Sequence, residues 1–274
     1  MPDTSDQAAA WTDDVATPAL VRRIAALLDR DGRALAATGL LPRGWHVALC
    51  HDGVPQGRLP PDGYAGPGIA LPDLGLPRVM LGGRRATFTG DIPLGATVER
   101  CAGIVGVTEK TGRSGRFALV TIRHAYTVQG REAVVEEADY VLREAASPEA
   151  LPPPSPPPAP RKAEVARIVV PDETLLFRFS AVTGNPHRIH YDAPYARDRE
   201  GYPALVVNGG LTALLVLDLV RHAAGREPAV FACRMRRPLF CGRPMRLCAS
   251  PDPEGWRAVA EDETGAVALE AEFR

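Results

Sequence analysis

The sequence predicts an α+β protein in two halves, each an antiparallel sheet wrapped around a central helix. Three observations carry this. The stretch SPEALPPPSPPPAP (147–160) repeats proline too often to pack as helix or central strand, so it reads as an extended linker. The segment ALVVNGGLTALLVLDLVRHAAG (204–225) is a short strand running into a helix that is apolar nearly all round, which requires a central, buried position. Behind it come four strand patterns: AVFACRMRRPLF, MRLCAS, GWRAVAED and AVALEAEFR. A buried helix followed by antiparallel strands is the hot-dog arrangement. The halves show no sequence repeat, so a double hot-dog is inferred from similar element order. Its expected parts are 1–146, a linker 147–162, and 163–274.

Each element has a local reason. Thr17 can cap a first helix and Pro18 suits its first turn, with Leu20, Val21, Ile24, Leu27 and Leu28 as its apolar stripe. Residues 53–77 are rich in Gly and Pro and read as long loops. RFALVTIRHAYTV (116–128) and VVEEADYVLRE (134–144) are rich in β-branched and aromatic residues and read as strands, with TGRSG (111–115) as a hairpin turn before the first. EVARIVV (164–170) is a further strand and 173–182 a helix. Asn208 is placed to cap the central helix and Gly225 to end it. In the last strand Val267, Leu269, Ala271 and Phe273 alternate onto one face.

Composition excludes several classes. The 32 basic and 33 acidic residues give a net charge of −1, which offers no reason to expect nucleic acid as the main partner. The cysteines (Cys50, Cys101, Cys233, Cys241, Cys248) form no CxxC pair, which argues against a disulfide framework and a structural zinc site. LTALLVLDLV is too short to span a bilayer and carries Asp218. The polar N-terminus has no signal pattern, so a cytoplasmic protein is the expectation.

The densest polar cluster is TGNPHRIHYD (183–192), with two histidines three apart beside Asn185, Arg188 and Asp192. Such a cluster is a metal site, an acid–base site or a solvated turn. No third ligand stands at a recognised spacing for a metal. Neutral-range histidine suits acid–base work, whereas an amide cannot take a proton.

FSAVTGNPHRIHYDAPYA followed by EGYPALVVNGGLTALL resembles the C-terminal half of the MaoC-like enoyl-CoA hydratases and dehydratases. LPRGWH, LPRVMLGGRR, GRSGRFALVTIRHAYTVQG and EEADYVLRE resemble the N-terminal domain of its two-domain branch, so the resemblance covers most of the chain. In the simpler members the motif S-G-D-x-N-P-[LI]-H supplies a catalytic Asp and His. Laid on this chain, the His falls on His190, the Asp on Asn185 and the motif's Asn on His187. The usual carboxylate is therefore missing, a departure typical of the two-domain branch.

The resemblance implies a hydro-lyase adding water to an enoyl-CoA, or removing it from a 3-hydroxyacyl-CoA. Its substrate would be mesaconyl-C4-CoA or itaconyl-CoA, giving citramalyl-CoA. The alternatives are a longer-chain 3-hydroxyacyl-thioester dehydratase, a thioesterase, and a non-catalytic acyl-thioester binding protein. In the hydratase reading His190 is both base and acid, Asn185 orients water, and His187 either assists or is a structural neighbour. Gly209 or Gly210 offers a backbone N–H to the thioester oxygen at a helix N-terminus. Where the family usually reads His-Gly, Asn208 precedes the glycine here. Arg84, Arg85 and Arg188 are candidate cations for a distal carboxylate, and Arg188 is alternatively an ion-pair partner. Lys110 and Arg113 flank the GRSG turn and either meet CoA phosphates or form a solvated hairpin. No metal or redox cofactor is implied; CoA is part of the substrate. The expected partner is an acyl-CoA substrate, with a homodimer as a possible assembly, and with no nucleic acid and no membrane.

Overall fold

The computed structural model describes residues 9–51, 53–112, 115–144 and 161–274. Most of the proline-rich linker and Arg113 lie outside the described residues.

The first half comprises β1 (Ala10–Val15), α1 (Pro18–Leu27), α2 (Gly32–Ala37), β2 (Leu40–Leu41), β3 (Arg78–Phe88), β4 (Ile92–Pro93), β5 (Thr97–Gly112), β6 (Gly115–Val128) and β7 (Arg131–Arg143). The second comprises β8 (Val165–Val169), α3 (Glu173–Val182), α4 (Ala193–Asp198), α5 (Gly209–Ala224), β9 (Val230–Met235), β10 (Met245–Asp252), β11 (Gly255–Glu261) and β12 (Val267–Phe273). Strands of both halves form one ten-stranded antiparallel sheet in the order β1-β5-β6-β7-β3-β9-β12-β11-β10-β8, while β2 and β4 pair separately. The halves meet at β3, where Arg84 stands opposite Ala138 of β7 on one side and Cys233 of β9 on the other. Gly83 is required at this seam, because a Cβ there would come 2.6 Å from the Cys233 carbonyl oxygen.

The expected helices form for the expected reasons. The Thr17 hydroxyl accepts from the Leu20 N–H at 3.1 Å and Pro18 opens α1. The helix α5 is buried from Leu211 to Asp218 and ends at Gly225 with φ +64°. Asp218 interrupts its apolar surface because two guanidiniums meet it: Arg30 bidentately at 3.1 and 2.9 Å, and Arg167 of β8 at 3.6 Å. Arg30 follows α1, so this pair ties the first half to the central helix of the second. We expect Asp218→Ala to destabilise the protein by about 2–4 kcal/mol, read as a lower urea midpoint. An unchanged midpoint would refute the tether.

The two halves are filled differently. The sixteen-residue α5 occupies the curl of the second half. Among the described residues the first half has no helix of that length. Its sheet is covered by ten-residue α1, by the 3-10 turn Trp45–Ala48, and by loop residues Ile69, Leu71, Leu74 and Leu76 against Ala118, Val120 and Ile122. The short filling leaves room on the concave face of β5–β7. No helix among the described residues is long and apolar enough to cross a membrane.

Candidate active site

The polar loop is held from both ends. The helix α3 ends at Val182, the Thr183 hydroxyl donates back to the Phe179 carbonyl at 2.8 Å, and Gly184 takes φ +57° to turn the chain. At the other end Asp192 caps α4 by accepting from the Tyr195 N–H at 3.0 Å. The second oxygen of Asp192 receives Arg188 Nε and Nη2 at 3.0 and 2.8 Å, and a third nitrogen of Arg188 reaches the Pro61 carbonyl at 3.0 Å. Arg188 also stacks over Tyr195, 4.1 Å from the ring centre. Its work is to brace the loop against residues 61–62, and it does not line the cavity described below.

Between these anchors the 3-10 turn Arg188–His190 presents His190, which is 6% exposed. Nδ1 of His190 lies 2.8 Å from the Val206 carbonyl oxygen. A carbonyl only accepts, so Nδ1 carries the proton and Nε2 is left as the basic nitrogen. Burial pushes the His190 pKa down to about 4, with the Val206 bond opposing and His187 adding to the shift. The ring is thus a neutral base at pH 7. The His187 ring stands edge-on to it at 5.5 Å and is also lowered to about 4, by burial and then by Arg78. At 3.9 Å, Asp62 is too far to hydrogen-bond His187.

Asn208 departs from the expected cap. It stands at the N-cap position of α5, but its side chain makes no capping bond. The buried amide instead donates to Ser180 Oγ at 3.1 Å and accepts from Asn185 Nδ2 at 3.3 Å. Asn185 in turn accepts the His187 N–H at 3.1 Å. A side chain with both ends engaged by α3 and the loop cannot bend back over its own helix. The consequence is chemical: the first N–H groups of α5 have no side-chain cap, and Gly209 and Gly210 line the cavity.

The cavity has a volume of about 1210 Å³ and is lined by both halves. Of the ten residues singled out in the sequence, His190, Asn185, His187, Gly209, Gly210 and Arg84 meet there. Arg85 points away and pairs with Glu137 at 3.0 Å, with its side chain 62% exposed. Lys110 is exposed near the end of β5 and does not line the cavity. Arg84 and Arg85 are neighbours on a strand, so only one of them can face inward. Among the described residues no group of three or more His, Cys, Asp and Glu is placed to share a metal ion.

The opposite wall holds residues that sequence reasoning missed. Glu136 accepts from His46 at 3.2 Å and faces Arg84 at 3.5 Å. Burial pushes the Glu136 carboxyl up, but Arg84 and the His46 bond outweigh it and hold it at about 2. Arg100, His124, Tyr126 and Tyr140 line the same wall. A signal existed. Along Val120, Ile122, His124 and Tyr126, and along Val134, Glu136, Ala138 and Tyr140, a charged or titratable residue interrupts an inward-facing alternation.

The fold agrees with solved structures. HtdX from Mycobacterium tuberculosis superposes with a TM-score of 0.69 at 17% identity, covering 97% of this chain and 99% of that one. A second M. tuberculosis protein, reported to have a double hot-dog fold, gives 0.61 at 14% identity over 98% and 95% of the two chains. One continuous sheet closing a polar cleft between two halves is the double hot-dog class.

Within that class, a family model for hydroxyacyl-thioester dehydratase type 2 matches residues 44–241. The chain belongs to this family, which makes it a hydro-lyase. It is 40% identical over 247 residues to the mesaconyl-C4-CoA hydratase of Chloroflexus aurantiacus, covering 90% of this chain and 88% of that one. It is 33% identical over 92 residues to the mitochondrial hydroxyacyl-thioester dehydratase type 2 of Schizosaccharomyces pombe, covering 32% of this chain and 31% of that one.

Proposed function

We propose that the chain interconverts an enoyl-CoA and a 3-hydroxyacyl-CoA, and that its substrate is mesaconyl-C4-CoA, hydrated to citramalyl-CoA. One observation carries this reading: the neutral imidazole of His190, locked by Val206, shares a cavity with the uncapped N-terminus of α5. The 40% identical relative named for that reaction supports the substrate.

In this reading the thioester oxygen rests on the N–H groups of Gly209 and Gly210, where the helix end favours the negative charge that develops. Nε2 of His190 takes a proton from water as the oxygen bonds to the β-carbon. The π electrons move to the α-carbon and into the thioester oxygen. The same nitrogen then returns the proton to the α-carbon, so one H and one OH are added. Asn185 orients the water or the loop, and His187 stands beside the base as a neutral neighbour. The chemistry uses no metal and no redox cofactor. Five free cysteines suit a reducing compartment, and we place the protein in the cytoplasm.

The test is the loss of enoyl-thioester absorbance with mesaconyl-C4-CoA, itaconyl-CoA and crotonyl-CoA. Rapid loss with mesaconyl-C4-CoA is expected. Turnover confined to longer 3-hydroxyacyl thioesters would replace the substrate, and release of free thiol without hydration would replace the reaction.

A further inference from the structure

The reaction leaves the basic cluster on the first half's wall unused. Arg100 is its anomaly. The residue is 5% exposed and its Nε is buried without a partner. Among the described residues no ion pair or hydrogen bond to its guanidinium is found. The group lies over Gly68, where a Cβ would overlap Nη2 and where φ is +83°, so glycine makes room for it. Arg84, on β3, lines the same cavity. Its Nε is also buried without a partner, and its Nη2 is 4.0 Å from the point where a Cβ on Gly210 would stand.

The charges do not balance. Arg84 has the Glu136 carboxylate as its partner, which His46 also engages, while Arg100 has no carboxylate of its own among the described residues. His124, on the same face, is kept neutral at pH 7 by burial, with a pKa of about 4. A buried cation without a counter-ion is strongly disfavoured, so the wall is built for an anion that enters the cavity. CoA phosphates are separated from the thioester by the whole pantetheine arm. A carboxylate on the β-carbon lies only roughly 4 Å from the thioester carbon by standard bond lengths, so with the thioester at the α5 N-terminus it stays inside the cavity that Arg84 and Arg100 line.

We propose that Arg100, together with Arg84, is a binding site for a free carboxylate on the acyl group, selecting dicarboxylic over monocarboxylic acyl thioesters. The placement of the thioester at α5 is taken from the proposed function; the selection itself is independent of turnover.

The test therefore uses ligands that cannot be hydrated. Calorimetric binding of succinyl-CoA and butyryl-CoA, equal in carbon count and differing in the carboxylate, is compared in wild type, Arg100→Met and Arg100→Lys. Wild type is expected to prefer succinyl-CoA by about two orders of magnitude. In Arg100→Met the ratio is expected to fall to within a few-fold of one. Arg100→Lys, which keeps a charge but not the planar fork, should lose about ten-fold of the preference, and it carries the test if the methionine variant does not fold. A wild-type ratio near one, or a ratio unchanged in the variants, overturns the proposal. Equal weakening of both ligands also overturns it and assigns Arg100 to the CoA phosphates. Failure to hydrate mesaconyl-C4-CoA would count against the proposed function and leave this binding result standing.

Discussion

Replacing His190 by alanine is expected to lower kcat/KM about 10²- to 10⁴-fold, the usual range for removing a general acid–base group. The loss should fall mainly on kcat, because the imidazole acts on water and on the α-carbon rather than on the CoA moiety. Its Nδ1–H bond to Val206 anchors the 3-10 turn, and the Val206 N–H is itself bonded to the Ile189 carbonyl at 2.9 Å. The variant leaves a buried carbonyl unpaired, so a stability loss of about 1–3 kcal/mol accompanies the kinetic effect. Steady-state kinetics at a temperature well below the variant's melting transition separate the two. Wild-type activity in a folded His190→Ala protein would remove this residue from the mechanism.

Acid is expected to have the second large effect, on stability. Burial is the first cause holding His124, His187 and His190 each at about 4, against an ordinary value of 6.5. Between these two values the unfolded chain binds protons that the folded chain refuses. Stability is therefore intact above about pH 6.5 and falls as the pH drops toward 4, by up to roughly 3 kcal/mol per imidazole. Glu136 extends the decline. Its folded value of about 2 lies below the ordinary 4.5, so its contribution is lost as the pH falls from 4.5 to 2. Urea unfolding at pH 7.5, 5.5 and 4.5 should show midpoints that fall at each step. A midpoint that is flat from pH 7.5 to 4.5 would contradict the burial of these rings. The basic form of His190 persists to about pH 4, so activity in the surviving native protein should not show an acid limb near 6.5.

The sequence and the structure part company at identifiable places. Long apolar patterns were legible: the β6 run, the all-round apolar α5 and the capped start of α1 each stand where local chemistry puts them. The polar first strand β1, and β3 with its LGGRR core, were not, because neither has an alternation strong enough to name a strand. These two form only because β5 and the β7–β9 seam offer them partners. Asn208 was legible as a cap residue, but Ser180 and Asn185 compete for its amide and win. Arg188 had the chemistry of an anion binder, yet Asp192 four residues on claims its fork.

By itself the sequence determined the strand and helix periods, the placement of glycine and proline at turns, and the histidine loop, since these depend on residues a few positions apart. Tertiary structure alone decided which cations face the cavity. Arg84, Arg100 and Glu136 lie far apart in the chain and come to line one cavity only through the register of β3, β5, β6 and β7, which aims alternate side chains at one concave face.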